Sequence, residues 1–423
     1  MAERVGVIGA GLAGLAAAVE LKGAGREVTV FERSRLLGGR ATSFVVAGHE
    51  VDNGQHVFLA CCTEFIGFVK RLGMEHVLRL QDRFDVLMLS RGGKASRLRT
   101  SVLPPPWHLL TAFLGYRHMG WLAKLDVARA LARVRETRRF DGTFAEWLAR
   151  LGQREAAVTA FWQPFLVPAL NASLDQMRAS DAAFVLLTAF LEDAGAARLG
   201  YCTVPLARVA EAAAQCLDQV RLSTPVVGVV VLADGRIAVR LAGGEHTVLD
   251  GVVVAVPPPQ LERLLVRPEP FGVPRLDGYR PRPIVDVHLW HDRGELEFDL
   301  AALLDSPVQW VFEKAPGYLC CSLSAADGLI HRPTEDAVRL CWEEVTVAVP
   351  GMRDARLVEA HATRSPNATF LAGPGGERPG PGTRFPRLSI AGSWTNTGWP
   401  DTLESAVRSG RAAARHLLEA SVA

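Results

Sequence analysis

Three glycines in the run Val5-Gly6-Val7-Ile8-Gly9-Ala10-Gly11-Leu12-Ala13-Gly14 constrain this chain more than any other feature. The apolar residues before Gly9 predict a strand, and the Ala-rich stretch from about Leu12 to Lys22 predicts a helix. Gly9 allows the tight turn between them. Gly11 lets a pyrophosphate approach bare backbone, and Gly14 lets helix pack on strand. The phosphates would lie at the positive end of the helix, beside Leu12 and Ala13. A second apolar run, Val28 to Phe31, ends in Glu32, whose carboxylate can accept two hydrogen bonds from a ribose diol. Strand, glycines, helix, strand and acid come in the order of a dinucleotide-binding unit. A chance glycine-rich turn is the alternative.

The chain has 423 residues, which suits two domains with a large core. Apolar residues make up 49% and charged residues 22%, a globular balance, and the net charge of +2 argues against a general polyanion binder. No apolar run reaches the roughly 20 residues that a spanning helix needs. No segment joins a basic start, an apolar centre and a small-residue cleavage site, so a cytoplasmic protein is expected. The cysteines are Cys61, Cys62, Cys202, Cys216, Cys320, Cys321 and Cys341. An odd count without CxxC argues against disulfides or zinc, so buried thiols and no metal site are expected.

The pattern predicts an α/β fold in which a discontinuous, Rossmann-like nucleotide domain carries an inserted α+β domain. The nucleotide domain takes residues 1–85, 204–275 and 351–423. It includes a hairpin, Val226–Leu232 and Arg236–Leu241, around Ala233-Asp234-Gly235. The all-apolar run Val252–Val256 suits a strand buried on both faces of a parallel sheet. Residues 86–203, mostly helical, and 276–350 build the inserted domain. Strands over Ile284–Trp290, Val308–Phe312 and Tyr318–Leu323 would form an antiparallel sheet under helices. The Gly/Pro-rich stretch from Gly373 to Pro386 is expected to be a loop.

After Glu32 comes Arg33-Ser34-Arg35-Leu36-Leu37-Gly38-Gly39-Arg40. A glycine pair followed by Arg at this distance resembles the two-domain FAD flavoproteins, the superfamily of amine oxidases, phytoene desaturases and protoporphyrinogen oxidase. The resemblance implies that Gly38 and Gly39 lie against the flavin diphosphate, that Arg33 is near the nucleotide, and that Arg40 supplies charge to the phosphates. It adds Val227 from the hairpin. The C-terminal run Leu388-Ser389-Ile390-Ala391-Gly392-Ser393 and the helix expected near Thr402 resemble the closing segment of that superfamily. Gly392, Ser393, Thr402 and Leu403 are therefore cofactor candidates, and free N–H groups at that helix start would stabilise negative charge on reduced flavin. Two residues depart from the pattern: Ser393 stands where Asp is usual, and Ser405 where Gly is usual.

Val51-Asp52-Asn53-Gly54-Gln55-His56-Val57 aligns with the piece that runs under the flavin in the superfamily, which brings Gly54, Gln55 and His56 to the cofactor. This segment is similar to the hydroxysqualene dehydroxylase family, as are Phe161–Phe165 leading to Asn171, Ser306–Phe312, and the tail around Trp394. The resemblance implies removal of an allylic hydroxyl from a C30 isoprenoid alcohol by reduced FAD, in squalene and hopanoid biosynthesis, with an unidentified electron donor. An acid must protonate the leaving oxygen. Water must be kept from the allylic cation, and the long hydrocarbon needs an apolar tunnel. His56 is the first candidate acid, with Asp52 orienting it and Gln55 bonding flavin or substrate oxygen. The alternatives are that Asp52 caps a turn and His56 is packed core. Asn171 could bond the substrate oxygen or cap a helix, and Trp162, Trp310, Trp394 and Trp399 could line the tunnel or be plain core. Rival readings are a flavin amine oxidase, a carotenoid desaturase, and a non-catalytic lipid-handling subunit that keeps FAD as a prop.

Residues 91–140 hold eleven Lys or Arg and two acids, interleaved with Leu103, Trp107, Leu110, Phe113, Leu114 and Trp121. Basic and interfacial apolar residues together suit peripheral docking on an anionic membrane at the inner face of the cell membrane. The alternative is a solvated basic helix packed on its own domain. No nucleic-acid motif accompanies the charge.

Overall fold

Arg4–Ile8 is buried at Val5, Gly6, Val7 and Ile8, as a strand covered on both faces must be. It is the centre of a five-stranded parallel sheet ordered Gln219–Arg221, Glu27–Phe31, Arg4–Ile8, Gly251–Val254 and Leu388–Ile390. From the central strand the chain passes to Glu27–Phe31 on one side and much later to Gly251–Val254 on the other. Such a switch opens a crevice at the carboxyl ends of the strands. This computed structural model describes residues 2–46, 48–267, 269–276, 278–372 and 378–420.

Two layers cover the sheet. On one face lie the helices Leu12–Gly23, Thr63–Arg71, Ala207–Gln215 and Leu403–Ala420. The small residues of the first helix admit the last one closely: a Cβ on Gly410 would stand 2.1 Å from the Ala13 carbonyl oxygen. On the other face lies an antiparallel meander, Val226–Val231, Ile237–Leu241 and His246–Leu249.

The second domain is built on a seven-stranded sheet. Its order is Leu357–Ala372, Tyr279–His291, Tyr318–Ser324, Trp310–Ala315, Leu300–Leu304, Asp85–Ser90 and Ala95–Arg99. Every pairing is antiparallel except Leu300–Leu304 with Asp85–Ser90. The helix Thr334–Ala348 packs on one face. The other face carries a larger core with the helices between Leu110 and Leu191.

Two segments cross the expected domain boundaries. Leu357–Ala372, assigned from sequence to the nucleotide domain that resumes at 351, pairs along Tyr279–His291 instead. Leu199–Cys202, assigned to the insertion, pairs with Phe58–Leu59 and Leu78–Leu80 of the first segment. Both are strands whose partners lie far away in the chain, so composition near the boundary could not assign them. Part of the expected Gly/Pro-rich loop, 373–377, lies outside the described residues.

Candidate active site

The glycine turn shows why each glycine is present. Gly9 has φ +103, and a Cβ there would stand 2.5 Å from the Ala255 carbonyl oxygen. A Cβ on Gly14 would stand 1.9 Å from the Gly9 carbonyl oxygen. Gly11 differs. Its backbone is extended, and its nearest neighbours would be Gly38 O at 3.9 Å and Gly39 Cα at 4.0 Å. Among the described residues nothing lies close enough to require a glycine at 11, and its backbone is left open on that side. The second glycine segment lies alongside, with Gly38 N donating to Ala10 O at 2.9 Å. Buried Glu32 accepts from Ala10 N at 2.7 Å through Oε2 and from Ser34 N at 2.8 Å through Oε1. Each oxygen keeps a lone pair for a ribose hydroxyl.

The Asp52–His56 strip lies against the second sheet. Gly54 has φ +98, and a Cβ on it would stand 2.8 Å from Asp286 Oδ2. Gln55 N donates to Asp286 Oδ1 at 3.3 Å, and Lys314 Nζ donates to Gln55 Oε1 at 2.8 Å. Asp52 is held by Ser43 Oγ at 2.6 Å and Leu206 N at 2.9 Å, with Lys314 Nζ 3.9 Å away. Half-buried His56 places Nδ1 2.9 Å from Gly54 O. Burial lowers its pKa, outweighing the opposing pull of Asp52.

Strand alternation sorts the sheet into two faces. Val285, Val287 and Leu289 point to the core under helix Thr334–Ala348. Asp286, His288 and Trp290 point the other way, toward the strip. On this face Thr363, Asp286, Ser322, Trp310, Ala302 and Met88 are successive cross-strand partners. The face thus passes from polar to apolar within one row. Burial raises the Asp286 carboxyl to about 6, against hydrogen bonds from Ser322 and Gln55 N that pull it down. Burial also lowers His288 to about 4, and its Nδ1 lies 2.7 Å from the Tyr318 hydroxyl.

The apolar end of that face joins the core that lines a cavity. A small cavity of about 30 Å³ is bounded by Phe84, Leu98, Leu109, Phe113, Phe161 and Phe190 among others, with Thr100 the polar member of the lining. Phe161 and Phe190 come from two π-helical turns, Val158–Trp162 and Leu187–Leu191, an irregularity frequent at functional sites.

A family model described as flavin containing amine oxidoreductase matches residues 12–418. The chain belongs to that family. It is 30% identical over 452 residues to hydroxysqualene dehydroxylase of Rhodopseudomonas palustris, covering 99% of both chains. It is 25% identical over 491 residues to the probable zeta-carotene desaturase of Synechococcus elongatus, again covering 99% of both. Among solved structures, putrescine oxidase bound to putrescine matches with a TM-score of 0.75 at 18% identity over 99% of both chains, a likeness of fold. As a flavin-containing amine oxidoreductase, the protein is an FAD-dependent oxidoreductase, and the open backbone at Gly11 with the Glu32 carboxylate fits the dinucleotide.

The remaining cofactor candidates are engaged as follows. Arg40 forms a bidentate pair with Asp401, at 3.0 and 3.1 Å, and also reaches Ser393 Oγ; its charge is met by a carboxylate of the chain itself. The acid usual at 393 is absent, and Asp401 supplies one for Arg40. Ser405 Oγ donates to Ser393 O at 2.8 Å and lies 2.6 Å from Thr397 Oγ1, so it ties the closing turn to the last helix. Thr402 caps that helix by accepting from Ser405 N, and Leu403 is its first residue. Gly392 N donates to Ser409 Oγ at 3.0 Å. Arg33 is exposed, and Val227 is exposed where the ladder skips from Val226 to Gly228.

Asn171 does not offer its amide to a substrate. Its Nδ2 donates to Arg282 O and Thr369 Oγ1, and its Oδ1 accepts from Ala325 N at 2.7 Å. At φ 49 it ends the helix Gln163–Leu170 and pins it to three strand segments. Asp52 has no hydrogen bond to His56; its Oδ1 accepts from Ser43 Oγ and Leu206 N instead. Trp394 is core, donating to Val256 O, and Trp162 is buried with its N–H on Gln153. Trp162 still forms part of the cavity wall, while Trp310 is bonded to Pro164 O beside that core. Trp399 packs on Phe184 and under Arg408. The sequence reading missed Asp286, Ser322 and Lys314. For Asp286 and Ser322 the signal was present: polar residues recur every second position in otherwise apolar strands, as in Val285-Asp286-Val287-His288-Leu289, whereas Lys314 directly follows Glu313 and shows no such alternation.

Proposed function

We propose that this protein removes the hydroxyl of a C30 allylic polyprenyl alcohol to give squalene, drawing on reduced FAD. The observation that carries the reading is the sheet face that runs from buried Asp286 to an apolar cavity. An amine oxidase needs polar anchorage for its substrate, whereas this cavity wall is almost wholly hydrocarbon. The relatives support the reading, since both the hydroxysqualene dehydroxylase and the carotene desaturase are named for long isoprenoids.

In this reading Gly9, Gly11, Gly14, Gly38, Gly39 and Glu32 hold the nucleotide part of FAD, and Gly54 and Gln55 lie by the flavin. Bound in reduced form, the cofactor supplies hydride. The chain's own residues orient the alcohol, exclude water and deliver a proton. Trp162, Phe161 and Phe165 present aromatic faces and hydrocarbon, which would pack against the hydrocarbon tail and exclude water from it. An external electron donor restores the reduced cofactor.

The substrate enters from a membrane surface. Trp107–Leu109 and Leu110–Gly115 form a two-faced segment over the cavity. Leu109, Ala112 and Phe113 point inward to the lining, whereas Trp107, at 60% exposure, Leu110 and Leu114 point outward. Val102, Trp121, Leu122 and Leu125 are exposed nearby, with Arg117 and Lys124 among them. Among the described residues no helix is long and apolar enough to cross a membrane. A patch of large apolar side chains among cations suits the headgroup boundary of an anionic bilayer.

Anaerobic spectroscopy tests the reaction. Purified yellow protein should be bleached by dithionite and regain colour on addition of hydroxysqualene in detergent. Bleaching of the oxidised protein by putrescine or by a carotene would instead assign it to amine oxidation or desaturation.

A further inference from the structure

We propose that Asp286 donates the proton to the departing hydroxyl of the substrate. The inference rests on the dehydroxylation reading and names the acid that reading requires.

Position is the first argument. Asp286 lies on the strip-facing side of strand Tyr279–His291, against Gly54 and Gln55. Gly54 is the point of closest approach, and any side chain there would displace the carboxylate. The same row of cross-strand partners leads through Ser322 to Trp310, two strands away, or about 10 Å. An alcohol lying with its hydrocarbon along the Trp310 end would bring its oxygen toward Asp286.

The surroundings are the second argument. Asp286 is 2% exposed and, among the described residues, meets no cation at hydrogen-bond distance. The groups around it are Asp52 and His56 on the strip, His288 on its own strand, Lys314, Tyr318 and Cys320 on the strands to one side, and His361 on the other. Asp52 adds like charge, which favours the protonated carboxyl, and Lys314 is engaged by Gln55. Burial raises Asp286 to about 6, so it holds its proton much closer to neutral pH than an exposed carboxyl does. His56 is shifted the opposite way and is the poorer donor.

The step balances simply. The Asp286 O–H bond breaks as the substrate oxygen takes the proton, and the C–O electron pair leaves with that oxygen as water. Reduced FAD, which Gly11 and Glu32 would hold, would supply the hydride that the allylic cation needs, and the Asp286 carboxylate regains a proton from solvent.

Asp286→Asn and Ser322→Ala in the full-length holoenzyme test this. The wild type, reduced by dithionite and mixed anaerobically with hydroxysqualene, should reoxidise at a rate that falls about tenfold per pH unit above pH 6. Asp286→Asn should keep its flavin absorbance, react at least about 100-fold more slowly at pH 6, and lose the pH dependence. Ser322→Ala removes a hydrogen bond that favours the carboxylate, so the falling limb should move to higher pH. A second readout needs no substrate. A folded-state carboxyl raised above its unfolded value loses stability as pH rises toward 6, so Asp286→Asn should melt higher than wild type at pH 8, with the gap closing as pH falls toward 4. Wild-type kinetics and pH profile in Asp286→Asn, an unmoved limb in Ser322→Ala, or a pH-independent melting gap would overturn the assignment. Failure of the wild type to be reoxidised by the alcohol at any pH would instead remove the dehydroxylation reading beneath it.

Discussion

The glycine turn and the seven-stranded sheet solve opposite problems. At Gly9 and Gly14 the backbone is packed so tightly that a single methyl would strike a carbonyl oxygen, and only glycine fits. At the strip-facing side of the large sheet, many side chains would satisfy the fold, and those present are set by chemistry. Asp286 and Ser322 lie among residues whose alternates on the other face, Val285, Val287, Cys321 and Leu323, are apolar core. The first region therefore has a short sequence signature. The second is visible only once register places distant strands side by side.

The comparison can be broken at Gly11. It belongs to the tight turn in sequence, yet a Cβ added there would meet nothing closer than 3.9 Å among the described residues. Gly11→Val should lose essentially all bound flavin while the apoprotein melts as the wild type does, checked by absorbance and calorimetry. Gly14→Ala should behave differently and destabilise the apoprotein itself, by about 3 kcal/mol. A yellow Gly11→Val protein would show that the open backbone is not the phosphate cradle.

On the substrate side, Trp121 is 67% exposed, with Lys124 over its ring. Trp121→Glu paired with Trp107→Glu should cut binding to anionic vesicles about tenfold or more without shifting the melting temperature. Binding of the unaltered protein should weaken as salt rises. Equal binding by the double variant would make these tryptophans ordinary surface residues.

A smaller effect sharpens the division between structure and chemistry. Asn171→Ala leaves the Ala325 N–H and the Arg282 carbonyl without their partner, which should cost about 2–3 kcal/mol in stability. Its rate per folded, flavin-loaded molecule should stay unchanged. A collapse of that rate at constant stability would restore Asn171 to the substrate.

Much of the nucleotide domain was legible because its signals are local. The first helix was expected to begin at Leu12 and does, and the last was expected near Thr402 and begins at Leu403. The expected strands at Ile284–Trp290 and Tyr318–Leu323 lie within Tyr279–His291 and Tyr318–Ser324. What escaped was set by long-range pairing. The carboxylate for Arg40 comes from Asp401, 361 residues away, and the polar face at Asp286 needs four strands in register. His56 was chosen as an acid from its ordinary pKa, but burial pushes that pKa down and pushes the Asp286 carboxyl up. A sequence names titratable groups, whereas solvent exposure decides which of them holds a proton.

The central claim is that FAD held by the first domain acts on an isoprenoid alcohol held by the second. The most direct measurement is the amount of squalene formed per reduced flavin when hydroxysqualene is added without oxygen. The account predicts one squalene for each flavin reoxidised. Hydroxysqualene recovered intact beside flavin that stays reduced would contradict it.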